Sequence, residues 1–180
     1  MADRLVFLRV LLKEVAKKYG MFITFMPKPT IGDWRSGAHI NFSMTSNKDN
    51  KNIFEGKDGK FSDLAYHAVG GLIKHGTSIT AVACSTVNSY NGLVPIVGGF
   101  EGGVYTWAPT TMAYGDNNRS CMIRLPQNRF CIENRAADMC MNPYLSLALT
   151  TAAALDGIKN KIDPGKPLNL NLYTLSPEEM

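Results

Sequence analysis

His39 and Asn41 lie two residues apart in an alternating segment that follows a small-residue turn at Ser36 and Gly37. The alternation predicts a β-strand that begins at His39 and runs to Met44, so the two side chains point to the same face. Gly37 has no Cβ and therefore lets a bound group approach the backbone closely. An imidazole at such a place can bind a metal ion, although a hydrogen-bonded structural histidine is the more common case. The segment by itself leaves both hypotheses open.

A second set of charged residues stands later in the chain. Glu133 and Arg135 are two residues apart in a segment with strand character, so they share one face, and Arg119 and Arg124 precede them. Such a pair is commonly an internal salt bridge that holds strand register and contributes little net stability. In the alternative interpretation, Glu133 supplies an oxygen ligand to a divalent cation, while the arginines bind phosphate or carboxylate groups with two hydrogen bonds each.

The composition is that of one soluble globular domain. The chain has 180 residues, of which 45% are hydrophobic, and a formal net charge of +4, but its basic residues form no run of five. Nucleic acid is therefore not the expected partner. The first twenty residues combine charges with an apolar helical periodicity and predict neither a signal peptide nor a membrane span. The four cysteines show no CxxC spacing, and we expect reduced thiols in a cytoplasmic protein that does not bind membranes.

Local patterns predict one α/β unit. Apolar spacing and caps predict helices over residues 3–19, 62–76, 77–86 and 143–162. Alternation predicts strands over residues 21–26, 39–44, 105–114, 120–125 and 130–135, with a polar surface turn over 47–60. The glycine-rich segment 92–103 has neither the Lys-Ser/Thr of a phosphate loop nor a GxGxxG pattern. A mobile flap is the favoured interpretation there, and a phosphate-binding loop is the alternative.

Several sequence segments together resemble one known family. They are TFMPKP, SGAHINFSM, GGLIKHG, TVNSY, WAPTTMAYGDNNRSCMIRLP and NPYLSLALTTAAALDGI, in that order. In this order and spacing they resemble the carboxyl-side part of the glutamine synthetase catalytic domain. The WAP and NNRS segments are most similar to the branch that contains γ-glutamylmethylamide synthetases. The resemblance implies an α+β fold with a curved, mainly antiparallel sheet packed by helices, in which residues 21–44 and 105–135 are neighbours.

The resemblance also implies an activity and a set of partners. The expected reaction is ATP-dependent ligation of ammonia or a small amine to the γ-carboxylate of glutamate through γ-glutamyl phosphate, with Mg²⁺ or Mn²⁺ bound. The family forms homo-oligomeric rings, with active sites between adjacent subunits. The alternative is a catalytically inactive family member that serves structure or interaction.

Roles in the family can be carried to matching positions. His39 and Glu133 match ligands of the metal ion near the transferred phosphate. Arg119 and Arg124 match arginines that contact ATP phosphates, and Arg135 matches the arginine near glutamate and the reacting phosphate. Arg119 and Arg135 are thus the expected catalytic residues.

Three further positions complete the expected site. Asn41 and Ser43 match a stretch that contacts the nucleotide, although the family often has histidine at the position of Asn41. Gly37, with Arg135, matches the part of the site that binds the substrate.

The sequence also departs from the family pattern. Asn91 and Gly92 follow NSY, where the family usually has Lys-Arg and uses that arginine to bind a glutamate carboxylate. Trp34 and Arg35 replace the usual Asn-Gly or Gly-Asn of the glutamate pocket. Trp107 aligns with the mobile-loop glutamate that closes over the ammonium site, and Glu101 is a speculative substitute for that acid.

The resemblance covers residues 2–180 as a partial catalytic domain. It implies that the amino-terminal β-grasp-like domain, the first half of the catalytic domain and the carboxyl-terminal helices of the family lie outside this sequence. The chain is therefore expected to be a fragment of a longer ligase and to form an incomplete active site by itself.

Overall fold

The computed structural model describes residues 1–97 and 104–175. The α-helices are α1 (Ala2–Lys18), α2 (Asp63–Lys74), α3 (Gly76–Ala83), α4 (Val87–Asn91) and α5 (Pro143–Asn160). The strands are β1 (Gly37–Phe42), β2 (Ile96–Val97), β3 (Val104–Tyr105), β4 (Thr111–Asp116), β5 (Cys121–Leu125) and β6 (Ile132–Asp138). Short 3₁₀ helices span Lys57–Gly59 and Leu172–Thr174.

The main sheet has four strands in the order β1-β6-β5-β4, and helices pack against it. Strand β6 pairs antiparallel with both β1 and β5, so the predicted mixed α/β architecture and the predicted proximity of these segments are confirmed. Strands β4 and β5 are parallel instead. Strands β2 and β3 form a separate antiparallel pair. In the part of the chain that the structure describes, no helix is long and apolar enough to cross a membrane.

The parallel pairing of β4 and β5 depends on an unusually short return, because parallel strands ordinarily need a longer crossover. Only residues 117–120 connect the two strands. Asn117 adopts a positive φ of 56°, a conformation that asparagine tolerates better than most residues. The Asn118 side chain accepts hydrogen bonds from the Ser120 backbone and hydroxyl and donates to two carbonyls of the segment that follows α5. These side-chain bonds hold the return beside the sheet.

Helices α2 and α5 cross at paired glycines that cover the core. A Cβ at Gly71 would lie 2.1 Å from the Ala153 carbonyl oxygen, and a Cβ at Gly157 would lie 2.1 Å from the His67 carbonyl oxygen. Only glycine permits so close a backbone approach. The crossing lets the helix pair bury residues such as Leu72 against the sheet.

Several predicted element ends match the structure for the predicted reasons. Ser62 caps α2 by accepting from Ala65 N, and Asn142 caps α5, which Pro143 opens. The predicted strand over residues 21–26 is wrong, because that segment is irregular and Phe22 is 97% exposed.

The remaining elements differ from the sequence-based expectations or lie partly outside the described residues. The strand predicted over residues 105–114 is divided between β3 and β4, and the short helix α4 was not predicted. The flap predicted over residues 92–103 lies partly outside the described residues, because positions 98–103, including Glu101, are not among them.

Candidate active site

One buried carboxylate, Glu133 on β6, collects three basic side chains. Its Oε1 accepts a hydrogen bond from Arg135 Nη1 at 2.8 Å and lies 3.0 Å from His39 Nδ1. Its Oε2 accepts from Arg124 Nη1 at 2.6 Å. The Glu133 side chain is only 3% exposed, so these partners replace water around the carboxylate.

The pKa of Glu133 reflects this environment. Burial alone would raise the pKa of the carboxyl group, but hydrogen bonds from His39 and Arg124 and the charge of Arg135 outweigh it and lower the pKa to about 2. Glu133 is therefore ionised at neutral pH. Two guanidinium charges against one carboxylate leave the cluster net positive before an anion binds.

Strand register explains how these side chains meet. Glu133 is directly opposite Asn41 on β1 and opposite Arg124 on β5. The β1–β6 ladder is irregular between Ala38 and Ile40, at the position of His39. Such irregularities redirect side chains next to functional sites, and here the imidazole lies beside Glu133.

Further contacts orient the two arginines. Arg124 Nε donates to Asn117 Oδ1 at 3.1 Å, from the return between β4 and β5. Arg135 donates through Nε to the Arg119 carbonyl at 3.2 Å and through Nη2 to the Trp107 carbonyl at 2.8 Å. Both guanidinium groups are thus fixed in place by backbone or amide oxygens as well as by Glu133.

The donor set around Glu133 supplies part of the shell of a divalent cation. His39 and Glu133 are close enough to share one ion, and an imidazole with a carboxylate is a suitable partial shell for Mn²⁺ or Mg²⁺. Hard cations take about six ligands, whereas no group of three His, Cys, Asp or Glu side chains suited to a metal occurs among the described residues. The pair therefore fits as part of a shell.

A cavity of about 210 Å³ lies beside this cluster. Arg135 and His39 line it on the cluster side, and Arg35, Gly37 and the segment 106–109 complete its wall. The lining places two arginines and an imidazole around one space, which is suited to a small anionic ligand.

The structure places the remaining predicted residues around the edge of the cluster. Asn41 is exposed, and its Oδ1 accepts from Arg129 Nη2 at 3.0 Å. Ser43 is exposed just beyond β1. Arg119 is exposed, and its guanidinium forms no ion pair or hydrogen bond within residues 1–97 and 104–175. The structure thus brings His39, Arg124 and Arg135 onto Glu133, but not the Arg119 side chain.

Three contributors were missed as site residues by sequence reasoning. Asn117 holds Arg124, and the Trp107 carbonyl holds Arg135. Neither contact has a sequence signal, because each depends on tertiary placement. Arg35 stands out in the sequence only as a departure from the family pattern, yet it lines the cavity.

The fold and the cluster define a mixed α/β protein that gathers arginines and a histidine around one buried carboxylate. The chain belongs to the glutamine synthetase family, since the model of the glutamine synthetase catalytic domain matches residues 1–180. The resemblance inferred from sequence motifs is confirmed.

Relatives from both branches are similar over nearly the whole chain. The glutamine synthetase of Microchaete diplosiphon is 43% identical over 185 residues, which cover 99% of this chain and 37% of that protein. The glutamate–methylamine ligase of Methyloversatilis universalis is 42% identical over 182 residues, which cover 99% of this chain and 40% of that protein.

Solved structures of GmaS are also similar. The GmaS/ADP complex has a TM-score of 0.83 and 39% identity, covering 96% of this chain and 39% of that one. Apo GmaS has a TM-score of 0.83 and 38% identity, covering 99% of this chain and 40% of that one. The chain thus spans somewhat more than a third of the length of these relatives.

Proposed function

We propose that this chain forms part of the active site of an ATP-dependent ligase that joins ammonia or a small amine to the γ-carboxylate of glutamate. The observation that carries the proposal is the convergence of His39, Arg124 and Arg135 on the buried carboxylate of Glu133. Relatives named glutamine synthetase and glutamate–methylamine ligase support the same reaction class.

The arginines would act on the phosphoryl group. Arg124 and Arg135 carry fixed positive charge, and their other contacts hold them in place before a ligand arrives. Preorganised positive charge stabilises the negative charge that is spread over a transferring phosphoryl group. Glu133 limits the repulsion between the two guanidinium groups and keeps them side by side.

His39 and Glu133 would hold a divalent cation together with ligands from outside the described residues. Such an ion, when bound, would withdraw charge from phosphate oxygens and help to orient them. Glu133 stays ionised at neutral pH, and its two oxygens are the hard donors that Mg²⁺ and Mn²⁺ prefer. His39 is 40% exposed at its side chain, so its ring is accessible from the cavity.

The remaining expected roles belong to the same proposal. Arg119, Asn41 and Ser43 lie at the exposed edge, where they would contact ATP. Gly37 and Arg135 border the cavity, where glutamate would bind. A homo-oligomer would supply the rest of the site from an adjacent subunit.

The test is phosphate release from ATP by the purified full protein. We expect release that depends on L-glutamate together with ammonia or methylamine, and the comparison of the two amines identifies the nitrogen substrate. Arg124→Ala should lower kcat about 100-fold or more, because it removes a donor aimed at developing charge. Lys48→Ala, at an exposed lysine in the turn that follows β1, is the matched control.

Two results would contradict the proposal. Wild-type protein that releases no phosphate in response to glutamate and either amine would do so, as would an Arg124→Ala variant with the wild-type rate. The inactive structural protein considered from the sequence gains no support from the relatives, which carry enzyme names.

A further inference from the structure

Arg35 is a half-buried cation with unused hydrogen-bond donors. Its Nη2 donates to the Ala137 carbonyl oxygen at 2.8 Å, whereas its Nε and Nη1 are buried and have no hydrogen-bond partner. Arg35 forms no ion pair with any residue that the structure describes. Buried donors without partners are costly, so such donors at the wall of a cavity are candidates to bind an anion from outside the chain.

The position of Arg35 directs this charge to the cavity. Arg35 and Arg135 both line it. A Cβ at Gly37 would lie 3.6 Å from Arg35 Nε and 3.9 Å from His39 Nε2. The space above Gly37 is therefore bordered by a guanidinium group on one side and an imidazole on the other.

The stem of Arg35 packs against Gly92 at the end of α4. A Cβ at Gly92 would lie 3.1 Å from Arg35 Cβ and 3.3 Å from Arg35 Cδ. Side chains at positions 35 and 92 thus compete for the same volume. The absence of a side chain at Gly92 gives Arg35 the room that it occupies.

Polar neighbours on the other side of Arg35 do not neutralise it by direct pairing. Cys84 and Asp138 are both buried there, and Asp138 uses its Oδ1 to accept from Cys140 N. Burial and the charge of Asp138 raise the pKa of the Cys84 thiol to about 11, with Arg35 opposing the rise. The thiol is therefore protonated at neutral pH and adds no negative charge.

We propose that Arg35 binds the α-carboxylate of the glutamate substrate. Its guanidinium group comes from the loop before β1 and occupies space that Gly92 leaves open. This inference rests on the proposed function. If the γ-carboxylate reacts beside His39 and Glu133, the second carboxylate of the same molecule must find a cation elsewhere in the cavity. Arg35 lines the cavity and has two nitrogens without partners, whereas Arg135 is already paired with Glu133.

The inference can be tested by ligand binding to the full protein. Isothermal titration is carried out with L-glutamate and with 4-aminobutyrate, which is glutamate without its α-carboxylate. Arg35→Ala should weaken glutamate binding about 30-fold or more, because it removes a buried charged partner, and should change 4-aminobutyrate binding less than about threefold. Equal losses for both ligands, or no loss for glutamate, would overturn the inference.

A second variant guards against a simple folding defect. Arg35→Met keeps a long aliphatic stem against Gly92 but has no charge, and it should show the same selective loss of glutamate binding. Arg9→Ala is the matched control, because Arg9 also donates to one carbonyl, Met141 O at 3.0 Å, and has two buried nitrogens without partners. Arg9 does not line the cavity, so its removal should leave the ratio of the two affinities unchanged.

An exchange of positions gives the sharpest readout. Gly92→Arg alone should weaken glutamate binding, because the new side chain meets Arg35. In the double variant Arg35→Gly/Gly92→Arg, position 92 supplies the guanidinium group instead of position 35. The double variant should therefore bind glutamate at least about tenfold more tightly than Arg35→Gly alone. A double variant that binds glutamate no better than Arg35→Gly would contradict the claim that side chains at positions 35 and 92 reach the same space.

The outcomes separate this inference from the proposed function. Selective glutamate binding without ATP turnover would refute the ligase and leave the role of Arg35 supported. Turnover with wild-type glutamate affinity in Arg35→Met would refute the role of Arg35 alone. A loss of ATP affinity that matches the loss of glutamate affinity would assign Arg35 to phosphate and overturn the inference.

Discussion

Arg35 and Arg135 line the same cavity, but their guanidinium groups are satisfied in different ways. Arg135 donates to Glu133, to the Arg119 carbonyl and to the Trp107 carbonyl. Arg35 donates to one carbonyl and keeps two buried nitrogens without partners. The Arg135 side of the cavity thus has its donors paired without a ligand. On the Arg35 side, two donors find partners only when an anion binds. A site can combine a rigid group that positions charge with an unsatisfied group that selects the substrate.

The largest effect on stability should follow loss of the acid that completes the Arg135 side. Glu133→Ala leaves Arg124 and Arg135 buried beside each other, and breaking such a buried ion pair costs about 3–5 kcal/mol of unfolding free energy. Urea denaturation of the full protein, in buffer with chelator, measures the loss. A loss below about 1 kcal/mol would show that the cluster is not a rigid unit.

Asp156 provides the matched control for that experiment. It has two basic partners, with His75 Nε2 at 2.8 Å and Lys74 Nζ at 3.3 Å, but it lies at the surface of α5. Solvent screens exposed ion pairs, so Asp156→Ala should destabilise the protein far less than Glu133→Ala.

Removal of Arg35 should have a smaller effect on the ligand-free protein. Arg35→Met gives up one hydrogen bond to Ala137 but also removes two unsatisfied buried donors, so we expect a change within about 1 kcal/mol in unfolding free energy. Added glutamate should stabilise the wild type more than this variant, because ligands stabilise the state that binds them. If Arg35→Met lost as much unfolding free energy as Glu133→Ala, the proposed difference between Arg35 and the Glu133–Arg135 cluster would be wrong.

The reactivity of Cys84 reports how strongly the charge of Arg35 affects the neighbouring thiol. Burial and Asp138 keep the pKa of the thiol near 11 although Arg35 opposes them, so alkylation of Cys84 should be very slow at pH 8. A folded-state pKa above the usual value of 9.0 means that this thiol contributes stability below about pH 9, which is lost as the pH rises through about 11. Mass spectrometry of alkylated protein, with Cys84→Ser as reference, measures the rates. Fast labelling at pH 8 would mean that Arg35 dominates the thiol.

The sequence predicted the Glu133 side of the cavity better than the Arg35 side. Alternation is a local property of a strand, so the shared face of Glu133 and Arg135 and the approach of His39 followed from the residues and the family motifs. The contact of Arg35 with Gly92 joins segments that are distant in the chain, and no local pattern indicates it.

The errors in the predicted fold have similar causes. Residues 21–26 have an apolar pattern, yet Asn88 fixes the chain just beyond them through two hydrogen bonds with the Lys28 backbone, and no described strand pairs with the segment. The parallel pairing of β4 and β5 depends on the left-handed backbone of Asn117 and the bonds of Asn118. Tertiary contacts determine such features and can override the local propensity of a segment.

Asn117 should give the smallest effect, and it separates positioning from backbone strain. Its amide oxygen accepts from Arg124 Nε, and its φ is 56°. Asn117→Gly removes the hydrogen bond but tolerates this backbone, whereas Asn117→Ala removes the bond and adds strain of about 1 kcal/mol. Both variants should raise the KM for ATP by a similar small factor, since both release Arg124, but only Asn117→Ala should show the added loss in urea denaturation. Equal stability of the two variants would mean that the return between β4 and β5 adjusts its backbone freely. An unchanged KM in both would mean that Glu133 alone positions Arg124, because Asn117 and Glu133 are the two side chains to which its guanidinium donates among the described residues.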